Sequence, residues 1–387
     1  MIFNGILFFL SALSLILLFW QWMAARRFHL HSRGDTSHFT PPVTLLKPIK
    51  GSDAHTEACL RSWFAQRYQG PVQILLGVAS PEDSACKLIH KLIGEFPHTD
   101  AQLIVCGPLA GANAKVSKLA QLQPRARHEI LVVSDADVCV PDDFLAAAVQ
   151  PFAPKSSGGL TAGRETGLVN CFYQLANPTT LAMRWEALAI NADFWSQVLQ
   201  SKTLKPLDFA LGAVMLTRRP HLEKIGGFEA LMNCLADDYQ LGHRIARQGH
   251  EIVLSPVVVE CWDPPQTWKA VWTHQLRWAR TIRVCQPAPY FFSILSNPTC
   301  WPLLWLVLAP TRWSLGFCGI SLAARLLTAL DLQARLTRSL SHAPFIWMAP
   351  VKDLIQVGIW LGAFTGNTVE WRGVRFRLRR DGTLVKN

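Results

Sequence analysis

Three groups of carboxylates in this 387-residue chain have the type and spacing to do chemistry. The most informative is Asp135 with Asp137, in Glu129-Ile-Leu-Val-Val-Ser134-Asp-Ala-Asp137, where a short β-branched run from Ile130 to Val133 ends abruptly in acids. Such a run makes a buried strand. At its carboxyl end in an open α/β sheet, two carboxylates spaced i, i+2 can turn toward one hard cation, which would hold a nucleotide diphosphate in the crevice. The plainer alternative is a solvated acidic turn, with Asp142 or Asp143 capping a helix that begins at Phe144. The second group, Asp237-Asp238, opens a helical stretch through His243 to Arg247 that stops at Gly249, where acids are also ordinary partners of the helix dipole. The third is Asp53, at the end of the basic, kinked stretch Lys47-Pro-Ile-Lys-Gly-Ser-Asp53, whose lysines otherwise read as solvent-facing charge. Downstream, Trp272-Thr-His274-Gln-Leu-Arg277-Trp278-Ala-Arg280 predicts a basic aromatic helix suited to a membrane interface.

The elements that must position these groups alternate strand and helix. Strands are predicted at Val43–Leu46, Val72–Ala79, Gln102–Cys106 and Ile130–Val133, with helices at Glu57–Gln66, Asp83–Phe96 and Lys115–Gln123 between them. This βαβ series implies an α/β fold, a Rossmann-like, mostly parallel sheet with helices on both faces, whose ligands collect at the strand exits. Further along, a glycine-rich strand is expected at 158–163, a long helical stretch at Leu181–Val198, and a strand at Phe209–Thr217 with Gly212 marking a close approach. A final strand is expected at Ile252–Val259.

Half the residues are apolar, 17% are charged, mean hydropathy is +0.18 and there are 15 tryptophans. That is too apolar for an ordinary soluble enzyme and points to membrane contact. The net charge of +11 suits an anionic membrane face. No nucleic-acid module accompanies it, so nucleic acid is excluded as partner. Ten cysteines are scattered singly, as expected of small core residues in a reducing compartment. Ile2 to Ala25 carries no charge and is long enough to span a bilayer, and Arg26-Arg27 follow at once. The positive-inside rule then puts the amino terminus outside and the rest on the cytoplasmic side of a bacterial-type inner membrane. After Val284, two crossings are expected, at Trp301–Leu327 and Phe345–Phe364, with Pro287–Pro298 lying in the interface and a basic cytoplasmic tail. Arg312 would then sit inside a span at a cost of about 2.5 to 3.5 kcal/mol, which keeps a re-entrant or surface-lying segment as the alternative.

Taken in order, Asp53, the Ser134-Asp-Ala-Asp137 turn, Asp237-Asp238-Tyr239 and His274-Gln-Leu-Arg277-Trp278 match the four-part signature of family-two-like processive and lipid glycosyltransferases. More closely, the stretch from about Pro42 to Arg283 resembles the ceramide glucosyltransferase family, glycosyltransferase family 21, with its bacterial relatives assigned to hopanoid biosynthesis. The resemblance implies a GT-A fold, a UDP-sugar donor, a divalent metal (Mn2+ or Mg2+) and inversion at the anomeric carbon. It implies that Asp53 binds the nucleoside, that Asp135 and Asp137 bind ribose, metal and diphosphate, and that Lys47 lies in the donor-binding region. Asp238 would be the general base, with Asp237 where the family often has Glu. Arg277 and Trp278 would lie at the diphosphate and acceptor mouth. His274 departs from the family, which has Gln or Arg there; it can still donate to a phosphate, with a charge that depends on pH.

One carboxylate base suffices for direct displacement by an acceptor hydroxyl, an effect typically worth about 10²- to 10⁴-fold. The expected function is transfer of one hexose, glucose or N-acetylglucosamine, to a membrane lipid, either ceramide or a hopanoid. A processive polysaccharide synthase and an inactive membrane scaffold are the alternatives. The domain plan is an anchor at 1–27, a linker at 28–41, a cytoplasmic catalytic domain at 42–283, interfacial and transmembrane segments at 284–366 and a basic tail at 367–387.

Overall fold

The computed structural model describes residues 2–34, 39–154, 164–371 and 374–386. After helix α1 (Ile2–Arg27) the chain runs β1 (Val43–Pro48), α2 (Thr56–Phe64), β2 (Val72–Val78), α3 (Ala85–Glu95), β3 (Asp100–Val105), α4 (Ala114–Leu122), β4 (Ile130–Ser134), β5 (Val138–Cys139) and α5 (Phe144–Ala148). Then come β6 (Thr166–Leu175), α6 (Leu181–Leu188), α7 (Trp195–Leu204), β7 (Val214–Arg218), α8 (Arg219–Lys224), α9 (Asp237–Arg247), β8 (Glu251–Cys261) and α10 (Trp268–Cys285). The predicted strand at 158–163 falls outside the described residues; β6 follows it.

Eight strands form one sheet in the order β3-β2-β1-β4-β7-β6-β8-β5. The pairs β3/β2, β2/β1, β1/β4 and β6/β8 are parallel, and β7 and β5 pair antiparallel to their neighbours. Six strands therefore point one way and their exits share one edge. Alternation along β4 splits the core in two: Leu131 and Val133 face one cluster, Ile130 and Val132 the other. With period-2 side chains buried on both sides, each face must be covered by helices, which explains the continuous apolar runs.

The predicted helix Leu181–Val198 is interrupted: between α6 and α7 lies one turn of π-helix, Ala189–Phe194, which turns Asp193 and Asn191 into the interior. The strand predicted at Phe209–Thr217 begins later, at Val214.

Correction is greatest after α10. α11 (Pro287–Phe292) and α12 (Cys300–Leu308) are followed by a break at Ala309-Pro310-Thr311, and only then by α13 (Arg312–Thr337) and α14 (Met348–Phe364). Trp301–Leu327 is thus not one span, because Pro310 cannot continue the helix. Arg312 starts α13 instead of lying in mid-span, and Thr311 and Ser314 form a capping box there. Among the described residues two helices, α1 and α13, are long and apolar enough to cross a membrane, and the segment Pro287–Leu308, bent by 55°, makes a third if it is one broken span. α14, 17 residues long, carries Lys352 and Asp353, both buried.

α1 and α13 run parallel, with Phe8 against Phe317 near their starts and the Trp22 indole donating to Asp331 near their ends. Their outward residues, such as Ile16, Leu315, Ile320 and Leu327, are all more than 60% exposed, an apolar surface fit for lipid. Ala24, Ala25, Ala329, Leu332 and Leu336 instead enter the core of the sheet domain.

The basic tail is itself folded. β9 (Thr368–Trp371), β10 (Val374–Leu378) and β11 (Leu384–Lys386) form an antiparallel sheet. Val369, Phe376, Leu378 and Leu384 pack on Leu235, just ahead of α9.

Candidate active site

The acids of Asp135, Asp137, Asp237 and Asp238 converge at the shared strand-exit edge. The backbone of Asp135 is held by a bond from its N–H to the Ala213 carbonyl at 3.2 Å, and the Asp137 carbonyl accepts from Trp262 N–H at 3.0 Å. Asp237 and Asp238 arrive from the other side, in the first turn of α9. Neither is the cap: Ala236 holds that position. Asp238 Oδ1 accepts from the Tyr239 N–H at 2.8 Å.

Gly212 is what lets α9 come so near. A Cβ built there would lie 2.8 Å from Asp238 Oδ2, so any larger residue displaces the carboxylate. The close approach expected at Gly212 is made by Asp238.

Lys115 joins the two acid pairs. Its ammonium lies 2.8 Å from Asp135 Oδ1 and 3.1 Å from Asp237 Oδ2. Burial opposes that charge, but Asp135 and Asp237 more than offset it and raise the Lys115 pKa. The residue reaches this position because Asn113 caps α4, accepting from the N–H groups of Lys115 and Val116, while its Nδ2 donates to Asp237 Oδ1 at 3.3 Å.

Lys47 corrects the reading of β1. It is a wholly buried strand residue, not a solvent-facing loop charge, and its ammonium donates to Ser134 Oγ at 3.1 Å and the Asp135 carbonyl at 2.6 Å. Burial lowers its pKa to about 8, partly countered by Asp137. It braces the acidic turn from below.

The four acids outnumber the two lysines beside them, and the crowding raises two of their pKa values. Burial, then the neighbouring Asp135 charge, pushes Asp137 up to about 7. Burial, then Asp237, pushes Asp238 up to about 6. Crowded carboxylates at a cleft are the arrangement a divalent cation relieves. The oxygen donors of Asp135 and Asp137 fit Mn2+ or Mg2+, with the Lys115 ammonium already marking a cationic position beside Asp135.

Around this centre the other exits close a cleft. Asp53 Oδ1 accepts from the N–H groups of His55 and Thr56, both at 2.9 Å, fixing the turn into α2. The His55 ring packs, tilted, against Trp262 at 5.3 Å and meets Asn177 Nδ2 at 3.1 Å. The loops after β1, β6 and β8 thereby touch. Asp263, raised by burial, lies in this cleft and adds to the charge felt by Asp137.

α10 presents its residues on two faces. His274 Nδ1 is 2.8 Å from the buried Glu186 Oε1, which also accepts from Gln275 Nε2 at 2.8 Å. Trp278 packs edge-on to His274 at 4.5 Å and against Phe194 of the π-turn. Arg277 lies on a neighbouring face, lining a cleft with Arg280 and with Thr368, Glu370 and Arg375 of the tail sheet. The structure therefore brings the four acids and two lysines together, sets His274 and Trp278 on the wall formed with α6, and places Arg277 under the tail.

Sequence reasoning missed Lys115, Asn113, Glu186 and Asp263 as site residues. The one available signal was Asn113 as a cap two residues before a lysine; nothing local marks Glu186.

The family model described as glycosyl transferase family 21 matches residues 6–384. Ceramide glucosyltransferase 3 of Caenorhabditis elegans is 21% identical over 378 residues, covering 93% of this chain and 77% of that protein. Ceramide glucosyltransferase 1 of the same organism is 24% identical over 59% of this chain, and the match spans 47% of that relative. The match to the ceramide glucosyltransferase of Candida albicans spans 28% of its length. A probable glycosyltransferase of Bacillus subtilis, YdaM, is 35% identical over 62% of this chain and 55% of its own length. Among solved structures, the mannosyltransferase PcManGT of Pyrobaculum calidifontis, in complex with GDP-Man and Mn2+, superposes with a TM-score of 0.51 at 18% identity, covering 94% of this chain and 97% of that one. That likeness establishes the GT-A-type fold. With the family model matching nearly the whole chain, the protein belongs to glycosyl transferase family 21.

Proposed function

We propose that the protein transfers one hexose, glucose or N-acetylglucosamine, from a UDP-sugar to a hydroxyl of a membrane lipid of the ceramide or hopanoid type, with inversion. The observation that carries this reading is the placement of Asp238. Its carboxylate stands against Gly212 at the strand-exit edge, close enough to feel the Asp135 charge, in a domain whose core is continuous with two membrane-length helices.

In this reading Asp238 takes the proton of the attacking hydroxyl. A pKa near 6 leaves it ionised at neutral pH and basic enough for the task. Asp135 and Asp137 would hold a divalent cation, whose charge would offset that developing on the departing diphosphate. Lys47 fixes the turn carrying them, and Lys115 sets the spacing between Asp135 and Asp237. Asp53 shapes the nucleoside end. His274, oriented by Glu186, and Trp278 form the acceptor wall, and Arg277 meets the diphosphate from the tail side.

The catalytic unit is residues 42–283, anchored by 1–27 and by the interfacial and transmembrane segments of 284–366, with a basic cytoplasmic tail at 367–387. Parallel α1 and α13 place their carboxyl ends, with Arg26, Arg27 and Arg335, on one side of the membrane. That side is assigned as cytoplasmic, in a bacterial-type inner membrane. Reporters fused after Asn387 and inserted near Gly34 are expected to read cytoplasmic alike.

The test is an acceptor panel on purified protein in lipid nanodiscs, with UDP-glucose and UDP-N-acetylglucosamine offered separately against a ceramide, a hopanoid polyol and a water-soluble sugar. Mass spectrometry is expected to find a lipid carrying one hexose and little soluble glycoside. Polymeric products, or donor hydrolysis with no glycolipid from any lipid alcohol, would overturn the reading.

A further inference from the structure

At the sheet edge opposite the acids, three segments meet. β4 runs from Ile130, paired with Arg218, to Ser134, paired with Val214, so the end of β7 lies at the far end of the strand from Asp135. Glu165 precedes β6 there, His221 follows β7 on α8, and His250 precedes β8. Five strand residues, about 17 Å at roughly 3.3 Å each, separate this place from the acidic turn.

The geometry points to a mononuclear transition-metal site, of the kind that takes Zn2+, formed by Glu165, His221 and His250. One ligand atom from each lies within 4.8 Å of the others. His221 Nε2 is 3.5 Å and His250 Nδ1 is 3.6 Å from the same oxygen, Glu165 Oε2. These separations are too long for ordinary hydrogen bonds. They are close to the roughly 3.3 to 3.4 Å expected between ligands of a tetrahedral ion with bonds of about 2.0 to 2.1 Å.

His221 is 4% exposed and its ring lies 4.0 Å from that of His250, so both imidazoles converge on the one carboxylate oxygen. Neutral imidazoles are the form that binds metal, and two with one carboxylate is a zinc ligand set. Among the described residues Arg218 also stands near, its Nε 4.0 Å from Glu165 Oε1. Arg218 meets the outer carboxylate oxygen, so Oε2 is left to the imidazoles.

The approach is built into the backbone. A Cβ at Gly167 would fall 2.4 Å from the His250 Cβ, so only glycine lets the turn after α9 close on β6. Glu165 is exposed, which leaves a solvent side for a fourth ligand. A metal there would staple the starts of β6 and β8 to α8, stabilising the sheet without touching the transfer reaction.

The test uses the full chain in detergent, stripped with chelator and loaded with Co2+ alone. One tetrahedral Co2+ per chain, read from the intense visible bands of that geometry and counted apart from any Co2+ at the acidic turn, is expected, displaced by Zn2+. Glu165→Gln, an exposed change that leaves packing intact, and His250→Ala are expected to weaken Co2+ binding by at least about 10- to 100-fold, the loss that even outer-shell changes cause. Asp137→Asn is expected to keep the bands, since oxygen ligands at the acidic turn favour octahedral, weakly coloured Co2+. Absence of tetrahedral bands in the wild type, their persistence in both Glu165→Gln and His250→Ala, or their loss in Asp137→Asn would each overturn the proposal.

Discussion

Among the described residues two clusters of charge, one buried and one at a cleft, are composed differently. Where the membrane helices meet the π-turn, Arg325 makes paired bonds to Asp193, at 2.9 and 2.8 Å, and to Asp353, both at 2.8 to 2.9 Å, and Lys352 joins both acids. Two cations meet two anions with their lone pairs satisfied. At the strand-exit edge, Asp135, Asp137, Asp237 and Asp238 share Lys115 and the bracing Lys47. The first cluster is closed and structural; the second is left short of positive charge. Matched charge locks an interface, whereas unmatched charge at a cleft marks where a cation and an anionic donor belong.

The largest expected stability effect is in the closed cluster. Arg325→Ala leaves Asp193 and Asp353 buried with only Lys352, a loss of about 3 to 5 kcal/mol. Thermal unfolding in detergent is expected to show a strongly lowered Tm and poor recovery of folded protein. A variant as stable as wild type would mean that the ion cluster does not tie the helices to the sheet.

Lys115→Met comes next. It removes charge-assisted contacts to two acids, about 1.5 to 3 kcal/mol, and leaves the acids to repel. A lowered Tm that Mn2+ partly restores is expected, because the ion replaces the lost charge. If Mn2+ gives no more recovery than in wild type, Lys115 is not balancing a metal site.

Asp137→Asn reverses the sign. With a folded-state pKa near 7, above the ordinary carboxylate value of 3.8, the folded protein holds this proton more tightly than the unfolded chain. Its contribution is therefore full below about pH 4 and is lost as pH rises toward 7. With chelator present at pH 7, Asp137→Asn is expected to be as stable as wild type or slightly more so, while transfer activity disappears. Retained activity, or a clear loss of stability, would put Asp137 in the closed class.

The smallest stability effect is Gly212→Ala, where the added methyl meets the movable end of Asp238. Turnover is expected to fall with little change in Tm; unchanged turnover would show that Asp238 has room to move without consequence.

Much of the open cluster is legible in the sequence because its acids lie where apolar strands stop, a signal local to each motif. Its counter-charges are not. Lys115 reads as a surface residue on a short helix, and only the arrival of α9, more than a hundred residues later, buries it. Lys47 follows Leu45 and Leu46 in β1, yet its charge suggested a loop; burial beneath the acidic turn overrides that preference. The closed cluster was invisible, since Asp193, Arg325 and Asp353 come from three distant elements and each alone looks like a charge interrupting an apolar segment. In the tail, Val374-Arg-Phe-Arg-Leu378 alternates with strand periodicity, but its net charge suggested a solvated end. The break at Pro310 was equally present and was outweighed by the apolar length around it.

The most direct measurement of the account is the turnover of Asp238→Asn with UDP-sugar and a lipid acceptor, beside its affinity for donor. The variant keeps size and most hydrogen bonding but cannot accept the acceptor proton. Turnover is expected to fall by about 10²-fold or more while donor binding changes little. Wild-type turnover in the variant would contradict the assignment of Asp238 as base and pass that role to Asp237.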